Sequence, residues 1–182
     1  MIRLPTELAG LVRLAPQVHG DDRGFFLETF RDDQADGLGI TQAFVQENHA
    51  RSALNTIRGL HFQHEPGQGK LVRVARGSIV DVVVDIRRSS ATFGKHEMVE
   101  LDDVDHHQLF VPVGFAHGYL VTSQVADVCY KVTSYYDANA ERGIAWDDPA
   151  LGITWPVAQP MLSGRDRALP SLGAIERDLP DW

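Results

Sequence analysis

Lys70-Leu71-Val72-Arg73-Val74-Ala75-Arg76-Gly77-Ser78-Ile79-Val80-Asp81-Val82-Val83-Val84-Asp85-Ile86 is the stretch whose reading settles the fold class of this chain. β-Branched residues dominate it, and they suit the pleated, half-buried surface of a sheet. The Arg76-Gly77 step interrupts the run at the spacing of a tight turn. The stretch therefore predicts two strands, over 71–74 and 79–86, joined as a β-hairpin. Shorter strand-like runs lie on both sides of it, over 24–30, 42–46, 96–101, 108–111, 118–121 and 128–136, with Gly, Pro, Asp and Asn between them. Many short strands at close spacing predict an all-β sandwich or barrel.

Helical signals are weak. A short helix is expected over 32–38, ended by Gly39, and a turn or two over 171–177. Strands do not alternate with helices, and there is no Gly-rich phosphate loop and no solenoid repeat, so Rossmann, P-loop and repeat readings fall away. From Trp146-Asp147-Asp148-Pro149 through Trp155-Pro156 to Pro160 the chain reads as ordered loop packed over a core.

A length of 182 residues with 43% hydrophobic content predicts one domain, 1–182, with one substantial core. No run approaches the roughly 20 apolar residues of a membrane helix, and the N-terminus lacks the apolar segment of a signal peptide, so no membrane partner and a cytoplasmic address are expected. The single cysteine, Cys129 in Val128-Cys129-Tyr130, fits a reducing compartment and reads as a small buried hydrophobe. A net charge of −8 argues against nonspecific nucleic-acid binding, which depends on clustered Lys and Arg. An anionic ligand would need a local basic pocket instead.

Such a pocket has candidates in Arg58-Gly59-Leu60-His61-Phe62-Gln63, in Lys70, and in Gly114-Phe115-Ala116-His117-Gly118. Matching parity would set His61, Gln63 and the lysine on one sheet face. His61 suits proton abstraction, because its unperturbed pKa lies near neutrality; a packed, hydrogen-bonded histidine is the other reading. A metal centre built on His61 and His117 is disfavoured: the position two after His61 is Gln63, a poor ligand, and only Glu65 stands near as a carboxylate. His106-His107, beside Asp102, Asp103 and Asp105, reads as a solvated loop. Without metal or cofactor, proton transfer needs an oriented base, an acid for the opposite face and a cation for the oxyanion. Asp166 is a candidate to orient His61, Lys70 to hold the oxyanion, and Tyr130 to supply the phenolic proton, although Tyr130 also reads as a core aromatic of a strand.

Asp22-Arg23-Gly24 with Glu28 and Phe30, Gln46-Glu47-Asn48-His49, the His61 run, Lys70-Leu71-Val72-Arg73-Val74, Phe110-Val111-Pro112-Val113-Gly114-Phe115-Ala116-His117-Gly118, Tyr130-Lys131-Val132, Trp146-Asp147-Asp148-Pro149, Ile153-Thr154-Trp155-Pro156 and Ser163-Gly164-Arg165-Asp166 follow in order. Together, over about residues 20 to 166, they resemble the dTDP-4-dehydrorhamnose 3,5-epimerase family. The resemblance implies a cupin-type double-stranded β-helix, or jelly roll, with its core at about 20–140 and a C-terminal segment, 141–182, packed over it. It also implies a cofactor-free homodimer acting on a dTDP-4-keto-6-deoxyhexose. Carried over by position, His61 is the base, Asp166 its partner, Tyr130 the acid and Lys70 the enolate-binding cation. Arg58 and His117 line the sugar and diphosphate region, and Gln46 and Asn48 contact the nucleotide. Arg23 and Glu28 do so from the partner subunit. Tyr136 stacks on thymine, and Glu141 and Arg165 add substrate contacts, the latter often lysine in the family. A mono-epimerase inverting C3 or C5 alone would share these motifs. A non-catalytic cupin predicts no proton exchange, and a metal cupin predicts loss of metal on chelation.

Overall fold

The computed structural model describes residues 1–182. The chain opens with β1 (Ile2–Leu4) and β2 (Val12–Ala15), forms a ribbon of β3 (Val18–Asp21) and β4 (Gly24–Leu27), and makes one turn of helix, α1 (Asp32–Ala35). Then follow β5 (Gln46–Ala53), β6 (Ile57–Gln63), β7 (Lys70–Arg76), β8 (Ser78–Asp85), β9 (His96–Asp102), β10 (Gln108–Val111), β11 (Phe115–Val121) and β12 (Val125–Val132). A short β13 (Glu141–Gly143) and two one-turn helices, α2 (Gly164–Arg167) and α3 (Leu172–Ile175), lie beyond them. The all-β expectation holds. A six-stranded sheet in the order β1-β2-β10-β7-β12-β5 faces a five-stranded sheet in the order β13-β6-β11-β8-β9, and β3-β4 stand apart as a pair. Two antiparallel sheets face to face form the cupin-type jelly roll.

The expected hairpin at Gly77 is corrected. β7 pairs with β10 and β12 in the larger sheet, whereas β8 pairs with β11 and β9 in the smaller one. The turn is thus a corner between sheets. A tight turn between two strand patterns serves either connection, and local sequence does not distinguish them. Gly77 has φ +81°, and a Cβ there would meet the Val125 carbonyl oxygen at 2.2 Å.

Apart from Asp81, β8 is apolar from Ile79 to Val84 because both its faces are covered. Ile79 and Val83 face the interior with Val72, Val74, Leu109, Val111 and Val128. Val80, Val82 and Val84 face outward, under Ile144, Leu151, Trp155, Leu172 and Leu179. Each such side chain taken from water contributes about 1.5–3 kcal/mol, so this contact is what fastens residues beyond β12 to the smaller sheet. Gly39, at φ +91°, ends the 3-10 turn that follows α1, as expected. The turns at the C-terminal end fall at 172–178, close to the expected span.

Other boundaries shift. The strand expected over 42–46 begins at Gln46 and runs to Ala53, and β12 stops at Val132 instead of 136. β5 escaped notice because neither face is apolar: Gln46, Asn48 and Ala50 line a cavity, while Glu47, His49 and Arg51 face solvent. The larger sheet also begins at Ile2, ahead of the expected start of the core near residue 20. No helix is long and apolar enough to cross a membrane.

Candidate active site

One end of the space between the sheets is apolar core; the other is a cavity of about 460 Å³. Strand alternation makes the division. On β12, Val128 packs in the core and Tyr130, two residues on, reaches the cavity wall. On β7, Val72 packs in the core and Lys70 lines the cavity. On β11, Phe115 packs in the core and His117 lines the cavity.

His61 enters from β6. Its Nε2 lies 2.7 Å from Asp166 Oδ1. Asp166 comes from α2, whose N-cap is Ser163: the hydroxyl accepts from the Asp166 amide at 3.0 Å and donates to Asp166 Oδ2 at 2.8 Å. Burial alone would raise the Asp166 pKa, but hydrogen bonds from His61 and Ser163 outweigh it and hold the group below its ordinary value. A persistent carboxylate at Nε2 fixes the tautomer with hydrogen on Nε2, leaving Nδ1 as the basic nitrogen.

Lys70 is buried, and desolvation lowers its pKa to about 8 against the opposing pull of Glu141 and Asp81. The Tyr130 phenol is shifted upward, chiefly by burial and further by Glu141, so it stays protonated at neutral pH. Arg58 Nε donates to Ser52 Oγ at 2.9 Å. His117 is opposite His61 in the β11–β6 ladder, and its Nε2 lies 2.8 Å from Oδ2 of the fully buried Asp81. Gly59 permits the strands to meet: a Cβ there would fall 2.5 Å from Gly118 Cα.

At the mouth, Gln46 Oε1 accepts from the Tyr136 amide at 3.1 Å, and its Nε2 donates to Asn48 Oδ1 at 2.8 Å. Glu141 Oε2 accepts from the Tyr136 hydroxyl at 2.7 Å and from Arg165 Nη1 at 2.5 Å. All the expected site residues line this cavity except Arg23 and Glu28. Those two lie outside it: the Arg23 side chain is 89% exposed on the β3–β4 turn, paired only with Asp21, and Glu28 is half-exposed beside Arg31.

Gln63 has a task that spacing did not reveal. Its Nε2 donates to Ser134 Oγ and the Tyr135 carbonyl, both at 3.2 Å, and its Oε1 accepts from the Asp137 amide at 2.9 Å, so it fastens the loop that presents Tyr136. Ser163 was missed as an orienting group, although a serine three residues before an aspartate is a capping signal. Asp81 was missed as the partner of His117 because it stands among the valines of β8. The Nε2 atoms of His61 and His117 each face a carboxylate, and no group of three or more His, Cys, Asp or Glu is placed to hold a metal.

The array can remove a proton from a carbon acid on the Nδ1 side of His61, hold the resulting oxyanion beside Lys70, and return a proton from Tyr130. The family model described as dTDP-4-dehydrorhamnose 3,5-epimerase matches residues 5–174. The dTDP-4-dehydrorhamnose 3,5-epimerase of Salmonella typhimurium is 46% identical over 175 residues, covering 94% of this chain and 96% of that protein. The crystal structure of the Legionella pneumophila dTDP-6-deoxy-D-glucose-3,5-epimerase in complex with dTDP-4-keto-L-rhamnose superposes with a TM-score of 0.96 at 42% identity, covering 100% of this chain and 98% of that one. A dTDP-4-dehydrorhamnose 3-epimerase of Streptomyces niveus is 37% identical, covering 90% of this chain and 80% of that protein.

Proposed function

Because the chain belongs to the dTDP-4-dehydrorhamnose 3,5-epimerase family, and is thus an isomerase, we propose that it inverts C3 and C5 of dTDP-4-keto-6-deoxy-D-glucose to give dTDP-4-keto-L-rhamnose. The observation that carries this reading is the 2.7 Å pair of His61 and Asp166 on the wall of a cavity shared with Lys70 and Tyr130. His61 Nδ1 takes the proton alpha to the 4-keto group. The C–H electrons form the enolate, whose oxygen rests against the Lys70 ammonium, and carbon then takes the Tyr130 hydroxyl proton on the opposite face. A positioned cation in a site poor in water contributes several kcal/mol to such a step. No cofactor enters the scheme, so chelators should leave activity intact.

Arg58 and His117 bind the sugar and diphosphate, Gln46 and Asn48 the nucleotide, and Tyr136 stacks on thymine, with Glu141 and Arg165 as further contacts. This remote binding energy holds the sugar against the base. Arg23 and Glu28 serve the neighbouring subunit of a homodimer. Their exposure supports this, as does that of Phe25 and Phe26 on the same ribbon, 61% and 71% exposed. The chain works as a single domain, in the cytoplasm.

Turnover in deuterated water tests the reading. Deuterium at both C3 and C5 of the product supports it, exchange at one carbon means a mono-epimerase, and exchange at neither refutes it. The mono-epimerase remains the second reading because a 3-epimerase is among the relatives.

A further inference from the structure

Two inversions with one base and one acid require a reset. Each inversion leaves His61 as an imidazolium and Tyr130 as a phenolate. Before the second carbon reacts, His61 must lose its proton and Tyr130 must regain one.

Glu141 stands where that transfer begins. β13 pairs with β6, placing Glu141 opposite Gln63 and Gly143 opposite His61, so a ladder holds the carboxylate beside the base. Its Oε2 is occupied by the Tyr136 hydroxyl and Arg165. Its Oε1 faces His61 Nδ1 at 3.9 Å. That gap is too long for a direct hydrogen bond and short enough for a bridging water or a small side-chain movement. Nδ1 is also the nitrogen that the reaction protonates, since Nε2 faces Asp166. Asp166 is a poor exit: both its oxygens hold hydrogen bonds, and these keep it ionised. Asp81 is engaged by His117. Glu141 also lies near enough to Lys70 and Tyr130 to favour the ammonium of one and the protonated phenol of the other. Its own side chain is 15% exposed and its partners Tyr136 and Arg165 lie at the surface, so it stands between the base and solvent.

We propose that Glu141 is a proton relay that resets His61 between the two inversions; the proposal rests on the two-carbon reaction given above. In the reset the imidazolium Nδ1–H bond breaks and its proton bonds to Glu141 Oε1, restoring the Nδ1 lone pair. The neutral acid then releases that proton to water at the mouth, and the Tyr130 phenolate takes one from water. The sum leaves carboxylate, neutral imidazole and phenol, with no net gain of protons or electrons.

The test is a single turnover of dTDP-4-keto-6-deoxy-D-glucose in deuterated water with enzyme in excess, counting deuterium at C3 and C5 of quenched product. Glu141→Gln should raise the ratio of singly to doubly inverted product roughly tenfold or more, whatever happens to the overall rate. Glu141→Asp, which withdraws the carboxylate by one carbon, should fall between the two. A wild-type ratio in either variant, even with turnover reduced, overturns the relay and leaves Glu141 a binding residue. Exchange at fewer than two carbons in the unsubstituted enzyme would instead sink the two-carbon reading.

Discussion

His61 and Lys70 line one cavity from different sheets, His61 on β6 of the smaller and Lys70 on β7 of the larger. Facing sheets pack about 10 Å apart, so the proposed base and the proposed oxyanion cation would address a sugar ring in the cavity from opposite walls. Neighbours on one sheet face would both have approached it from the same side.

Lys70 carries a cost for this placement. Between about pH 8 and pH 10.5 the folded chain binds fewer protons at Lys70 than the unfolded chain does, so stability rises with pH through that window. Below it the buried charge costs on the order of 3 kcal/mol. Lys70→Met should raise the Tm at pH 7 by about 6–12 °C, with the gain shrinking toward pH 10, and should lower kcat about 100-fold or more. In the unsubstituted enzyme, kcat should fall as pH rises through about 8 and the ammonium is lost.

His61→Asn should abolish exchange of substrate hydrogen with deuterated water, because no base remains at the carbon. Asp166→Asn should keep the fold and reduce kcat about 100-fold or more by releasing the tautomer of His61. Tyr130→Phe should retain exchange while losing inversion, since the enolate forms and is reprotonated from the side it left. Near-normal inversion in Tyr130→Phe would remove it from the acid role.

The proposed sharing of the site between subunits makes a quantitative prediction. Arg23→Ala and His61→Asn should each be inactive alone. Unfolded and refolded together, they form mixed dimers with one intact site, and statistical pairing should return about a quarter of wild-type activity. No recovery would place Arg23 in its own subunit's site, and full activity of Arg23→Ala alone would place it outside any site.

Gly77→Ala forces a Cβ against the Val125 carbonyl at a left-handed φ. A backbone oxygen cannot step aside as a side chain can, so the change should cost roughly 2–4 kcal/mol, read as a lower denaturant midpoint with unchanged m.

Much of the fold was legible because burial leaves a pattern. The valines on both sides of β8 required cover on both faces, and the Trp-rich segment beyond β12 supplies it to the outer one. β5 was not legible, since a strand between a polar cavity and solvent carries no apolar period. The route at Gly77 was hidden for another reason: which sheet a strand joins depends on partners far away in the chain. The His61 run showed the ingredients of proton transfer and offered Asp166 as an orienting group, but that the two meet was not legible, because 105 residues separate them. The free oxygen of Glu141 was beyond reach, being a matter of which lone pairs its neighbours leave open.

The dependence of His61 on Asp166 also sets an order in time. On the ribosome, β6 through β12 emerge well before α2, so the barrel can close while its base is still free to rotate and choose either tautomer. A chain cut ahead of Ser163 would keep the residues proposed to grip a nucleotide while lacking the carboxylate proposed to orient the base. Mixed with intact protein, such a fragment would compete for substrate while turning it over far more slowly.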